Sequence, residues 1–385
     1  MKEIFAPPQK VPLRVWAEKI DSLSQRRLLK LAQWGRLGGP IAVMPDVHFS
    51  ENVCVGSVLV TADIVCPTAV GHDLGCGMSS RAFEFEAASL QRSDLERLVA
   101  QISERIPAGR HVHRQPQAAI EALRRPLSTQ SLSHDAQWLG ARHLGTLGGG
   151  NHFIELQRDT TGRLWLTVHS GSRGAGAAVE THHARVAASL SAGARAPLPF
   201  FEYGSARAEA FMSDLQWALD FAAENRRRML DETTALLGQY LGQAMQLCGE
   251  FDVPHNLITF ETHGGKQVLV HRKGAMPAPA GARGIIPGSM GTASYIVEGL
   301  GAENSYASCS HGAGRRLSRS EAHKQISQKN LQRQMAKVVY PQHLARALIE
   351  EAPAAYKDIK QVLAEQEDLV RPILRLEPIA VIKGA

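Results

Sequence analysis

Leu257-Ile-Thr-Phe-Glu-Thr-His263, then Gly264-Gly265, then Lys266-Gln-Val-Leu-Val-His271 is the stretch on which the fold class turns. Two runs rich in β-branched and aromatic residues, joined by a pair of glycines that accept the positive φ of a tight turn, read as a β-hairpin. Hairpin pairing is antiparallel. The segments around it are separate strands and helices without a repeating βαβ pattern, which predicts an α+β fold rather than a doubly wound parallel sheet. Upstream, Ile41 to Met44 reads as a short strand delivering the loop Met44-Pro-Asp-Val-His48, and Val55 to Val65 as a buried strand. Ser79 to Glu86 alternates, and Leu164 to Val168 is a short strand ending at His169. Ser93 and Glu96 suggest a capping box for a helix with Leu95, Leu98, Val99, Ile102 and Ile106 on one face. Ser205 to Leu247 predicts one or two long helices, and Ser318 with Glu321 opens a polar helix to about Val338. Residues 107–137 have weak periodicity and read as a surface excursion; there is no internal repeat.

Composition sets the outer bounds. The 385 residues are 44% hydrophobic and 21% charged, the balance of a globular chain that forms its core unaided. No run approaches about 18 apolar residues, and MKEIFAPPQK lacks the apolar core of a signal peptide, so a cytoplasmic protein without a membrane partner is expected. Lys plus Arg exceed Asp plus Glu by 43 − 37 = 6, an excess that suits a polyanionic partner without demonstrating one. Five cysteines with no C-x-x-C pair argue against a disulfide framework or a zinc ribbon and fit a reducing compartment.

Chemistry is concentrated in four glycine-rich loops at predicted strand ends: Gly71-His-Asp73-Leu-Gly-Cys76-Gly, Gly145 to Glu155 with Asn151 and His152, His169-Ser-Gly-Ser-Arg173, and Ser310-His311-Gly-Ala-Gly-Arg315. Glycine lets the backbone approach a ligand closely, and a thiolate, a carboxylate and imidazoles together suit Mn²⁺, Zn²⁺, Co²⁺ or Fe²⁺. Each loop alone is a weak signal, since most single histidines bind no metal. Gly145 to Gly150 is not followed by Lys-Ser or Lys-Thr, which disfavours a P-loop. Arg226-Arg-Arg228 and Arg315-Arg316 suit phosphate contacts, although solvated helix faces explain most such runs.

These loops resemble, in order and along most of the chain, the signature segments of the RtcB family of RNA-splicing ligases. Met44 to His48, Val70 to Met78, Gly145 to Glu155, His169 to Arg173, Asn225-Arg226, His271 to Ala275, Pro287 to Gly291, Ser310 to Arg315, Tyr356 to Asp358 and Lys383-Gly384 carry the resemblance. It implies one large RtcB-like domain over residues 1–385. The implied activity is a GTP- and Mn²⁺-dependent ligase joining RNA ends with a 2′,3′-cyclic phosphate or 3′-phosphate to 5′-hydroxyl ends, in RNA repair or tRNA splicing. By the same resemblance His311 attacks the α-phosphate of GTP to form a histidine-GMP adduct. Asp73, Cys76, His152, His169 and His255 hold two Mn²⁺ ions, with Cys76 bridging. Asn151 and the backbone of Ala313 and Gly314 lie near phosphate or ribose; Glu155 and Lys383 match guanine-recognising positions, and Ser289 and Tyr356 the base pocket.

The sequence departs from the family pattern at Phe49-Ser50-Glu51-Asn52, where glycines are usual, and at Pro254, where a second histidine is common. Both changes spare the metal set and bear on the RNA-facing rim, suggesting a divergent branch. Two other readings stand beside the ligase. One is a metal-dependent phosphodiester hydrolase acting on RNA, which would form no histidine-nucleotide adduct. The other is a catalytically silent RNA-binding protein, disfavoured while His311 and every proposed ligand are present. The RNA target, the oligomeric state and any activating protein partner are not legible.

Overall fold

The computed structural model describes residues 1–117, 125–194 and 196–384. Its architecture is α+β, built on two large sheets. The first has seven strands in the order Leu247–Pro254, Gly77–Glu86, Arg163–Ser170, Phe153–Asp159, Val370–Lys383, Ser294–Gly299 and Arg283–Ile286. Every pairing in it is antiparallel. The second has six, in the order Lys2–Ile4, Leu13–Val15, Ile41–His48, Val55–Thr61, Lys266–Lys273 and Asn256–His263. Only its Leu13–Val15/Ile41–His48 pair is parallel. The hairpin turns at Gly264 and Gly265, whose φ values of 55° and 74° explain why two glycines stand there.

One helix ties the sheets together. Ala206–Leu241 runs 36 residues, about 54 Å at helical rise. Its first half buries Phe211, Leu215, Trp217 and Phe221 in a cluster with Ile258 and Leu269 of the six-stranded sheet. Its second half buries Met229, Leu230, Leu236 and Leu237 with Ile154, Leu156, Leu166 and Val168 of the seven-stranded sheet. The helix starts where Ser205 Oγ accepts from Ala208 N–H and stops at Gly242 in the left-handed region. That glycine ends the helix before the expected limit at Leu247, which instead begins a strand.

Other boundaries also shift for local reasons. The strand Ile41–His48 continues through what reads as a loop, because Pro45 interrupts the ladder without ending it and the register breaks between Val43 and His48. Val55 to Val65 divides into Val55–Thr61 and Ile64–Val65. The helix expected to be capped by Ser93 and Glu96 spans Arg92–Arg105, and its box uses Asp94, which accepts from Gln91 N–H at 2.8 Å. Glu96 is taken instead by Arg92 at 3.1 Å. The Ser318/Glu321 box is present, but its helix ends at Gln325, because Ser327 caps a second helix, Gln328–Gln334. In the stretch 107–137, residues 118–124 lie outside the described residues, and a helix Gln130–His143 begins near its end. Among the described residues no helix is long and apolar enough to cross a membrane.

Candidate active site

Register brings the candidate ligands to one end of four adjacent strands. Pro254 pairs with Gly77, Gly77 with Ser170, and His169 with both Met78 and Phe153. Cys76 therefore sits one residue before its strand, His152 one before its own, and His169 within the strand between them. His255 occupies the single residue between Leu247–Pro254 of one sheet and Asn256–His263 of the other. Its N–H donates to Cys76 O at 2.8 Å.

The donor atoms form a continuous chain. Asp73 Oδ2 is 3.1 Å from His152 Nε2, Cys76 Sγ is 3.4 Å from His152 Nε2 and 3.3 Å from His169 Nε2, and His169 Nε2 is 3.4 Å from His255 Nε2. The donor atoms of Cys76, His152 and His169 all lie within 4.8 Å of one another. His152 Nδ1 faces the Leu147 carbonyl at 2.9 Å and so donates to it, which turns the Nε2 lone pair towards the Asp73 carboxylate and the Cys76 sulfur. Acceptors facing acceptors in a buried space are an arrangement that a cation resolves. Burial pushes the Cys76 thiol well up, with the Asp73 charge adding to it, and drives His169 and His255 well down. A thiol, a carboxylate and imidazoles presenting lone pairs fit one or two divalent transition-metal ions.

His311 stands beside this chain, its ring centroid 4.7 Å from that of His255. It follows the strand Ser308–Ser310, and its Nδ1 lies 2.6 Å from Asp46 Oδ2, which also accepts His311 N–H at 3.1 Å. Asp46 is fully buried within Ile41–His48. With Nδ1 donating to this carboxylate, Nε2 is left as the free lone pair. Lys357 Nζ donates to the carbonyls of Pro45 and Val47, both at 2.8 Å, and so clamps the backbone on either side of Asp46. Gly314, at φ 73°, packs directly on the Asp46 carbonyl, where a Cβ would strike it. Asp46 was not singled out in the sequence, although it lies inside Met44 to His48.

One cavity of about 270 Å³ is lined by all thirteen residues proposed from sequence: Asp73, Cys76, His152, His169 and His255; His311; and Asn151, Glu155, Ser289, Ala313, Gly314, Tyr356 and Lys383. Their arrangement within it differs. Ser289 Oγ is 2.9 Å from Thr292 Oγ1 at the half-buried edge, whereas Glu155 is 2% exposed and its Oε1 has no hydrogen-bond partner. Burial pushes the Glu155 carboxyl up to about 8, only partly opposed by Lys383. Lys383 does not meet Glu155. Its ammonium is 2.6 Å from Glu351 Oε2, which also accepts Tyr356 O–H at 2.5 Å, while Glu351 Oε1 accepts from Arg315 at 2.9 Å. Glu351 carried no sequence signal, because it ends a 3₁₀ segment, Ala347–Glu351, without a motif.

Two residues of the long helix hold the loops in place. Asn225 Oδ1 accepts from the N–H groups of Gly145 and Thr146, and its amide donates to Thr146 O, Ser170 Oγ and Gly171 O. Arg226 donates to the Gly75 and Ser170 carbonyls and grips Asp252 with two nitrogens. Asn225→Ala strands several buried backbone groups, and we expect it to lower stability by about 2–4 kcal/mol. Metal affinity should fall about 10- to 100-fold, as loss of an outer support does elsewhere. Denaturant unfolding and metal titration measure the two effects; wild-type values for both mean that water replaces the amide.

The family model described as tRNA-splicing ligase RtcB matches residues 27–139 and 124–384, and the chain belongs to the RtcB family. It is 35% identical to the RNA-splicing ligase RtcB1 of Escherichia coli strain ATCC 25922 and 34% identical to the RNA-splicing ligase RtcB of Escherichia coli K12, in each case over 98% of both chains. The tRNA-splicing ligase RtcB of Pyrobaculum aerophilum is 28% identical over 98% of this chain and 96% of its own.

Proposed function

We propose that this chain is an RNA ligase that activates RNA 3′ ends with GTP through a histidine-GMP adduct and joins them to 5′-hydroxyl ends. The observation that carries the reading is the buried Asp46–His311 pair beside a cluster of metal-binding donors. A nucleophilic histidine needs an imidazole oriented in this way, and the covalent adduct it forms is what separates this reading from a hydrolase that uses metal-activated water. The names of the relatives, all splicing ligases, point the same way.

In the first step His311 Nε2 attacks the α-phosphorus of GTP. A P–N bond forms, the P–O bond to the β-phosphate breaks and pyrophosphate leaves, while the Nδ1 proton stays shared with Asp46. An oxygen of the RNA 3′-phosphate next attacks the same phosphorus, breaking the P–N bond and transferring GMP to the RNA. The 5′-hydroxyl then attacks the activated 3′-phosphate, and GMP departs; a 2′,3′-cyclic phosphate is first opened by water. Asp73, Cys76, His152, His169 and His255 would hold Mn²⁺, as one or two ions, and the metal would supply neutralisation of phosphate charge. Glu155 accepts the donors of a guanine edge, which adenine does not present in the same pattern.

Incubation with α-labelled GTP and Mn²⁺, followed by denaturing electrophoresis, tests the proposal: an acid-labile protein-bound label is expected, and none with α-labelled ATP. Asp46→Asn should slow labelling about a hundredfold or more, because the amide no longer fixes the His311 tautomer. Wild-type labelling rates in that variant would remove Asp46 from the mechanism.

A further inference from the structure

Two carboxylates compete for one lysine in the nucleotide end of the cavity. Glu155 pairs across the sheet with Val381, and Phe153 with Lys383. Since cross-strand partners share a face and alternate residues return to it, Glu155 and Lys383 are diagonal neighbours on one face, within reach of long side chains. Left to themselves, a buried carboxyl and a buried ammonium at that spacing would pair. They do not: Lys383 Nζ sits 2.6 Å from Glu351, also donates to Asn151 O at 3.3 Å, and leaves Glu155 Oε1 without a partner. Glu351 is itself 2% exposed and does not line the cavity.

We propose that Glu351 is a positioning residue for base selection: it holds Lys383 away from Glu155, so that an acceptor and a donor remain separately available to the edge of a guanine. This rests on the GTP reading above. The carboxylate collects the charges of Lys383 and Arg315 and the Tyr356 hydroxyl at one point, and each of these three lines the cavity. A carboxylate in that place therefore arranges the recognising groups without touching the base. If Glu351 loses its charge, Lys383 is drawn to the one remaining carboxylate on its face, and the two recognising groups neutralise each other.

Binding of the α,β-methylene analogues of GTP and ATP, and of inorganic tripolyphosphate, to the Mn²⁺-loaded full chain tests this. Glu351→Gln should weaken the GTP analogue about tenfold or more and leave the ATP analogue and tripolyphosphate within about threefold, so that the GTP-over-ATP ratio collapses. Arg315 is expected to keep its place, since it also donates to the Glu350 and Leu317 carbonyls. An unchanged ratio overturns the proposal, as does an equal loss of all three ligands in a folded variant, which would make Glu351 a general support. Should Glu351→Gln not fold, Glu351→Asp draws the charge back by one methylene and should lower the ratio several-fold; an unaltered ratio there overturns it equally. Wild-type protein that binds both analogues alike would instead bring down the GTP reading itself.

Discussion

His311→Ala is expected to abolish covalent labelling by GTP while leaving the metal content of the protein unchanged. The imidazole is the only group in the cavity that combines a lone pair on one nitrogen with a buried carboxylate 2.6 Å from the other, among the described residues. Removing it leaves Asp46 buried and the donor chain from Asp73 to His255 intact. Stability should therefore fall, through the stranded carboxylate, and metal binding should not. Label retained at wild-type level in the alanine variant would move the nucleophile elsewhere; metal lost together with label would make His311 a ligand.

Cys76→Ser should remove both metal and labelling. A hydroxyl nearly isosteric with the thiol stays neutral at any pH the protein survives, so it cannot supply the negative charge that compensates cations among three imidazoles. Metal-free, the thiol is held protonated by burial, with the Asp73 charge reinforcing it, so metal binding must release a proton from Cys76. Metal analysis by mass spectrometry, paired with the labelling assay, gives the answer: wild-type values for both would reduce Cys76 to a packing residue.

Much of this site was visible in the sequence because glycine marks it. Gly171 stands where any Cβ would strike the Asp73 carboxylate, and Gly314 where one would strike the Asp46 carbonyl, so close approaches left a written trace in the loops. The hairpin was legible for the same reason, through Gly264 and Gly265. What was not legible depends on direction and distance. Asp46 lies in a strand whose ladder is broken by Pro45, so alternation does not say which way its side chain points. The two cations that Glu351 meets, Lys383 and Arg315, lie 32 and 36 positions away in sequence. The strand Leu247–Pro254 was not read, apart from Leu247 being given to the preceding helix, because no position in it is buried and a core-facing period is missing.

His255 has a consequence for assembly. It is the hinge pin at which the chain leaves one sheet and enters the other, and its ring touches both His169 and His311. Pairing of Leu247–Pro254 with Gly77–Glu86 brings this fifth donor to the other four, and the chain's continuation into Asn256–His263 ties it to the neighbouring sheet. An ion held by all five donors would therefore rivet the junction of the two sheets. The metal-free protein should then exchange its amide hydrogens fastest along Leu247–Pro254 and Asn256–His263, the two strands that flank the pin.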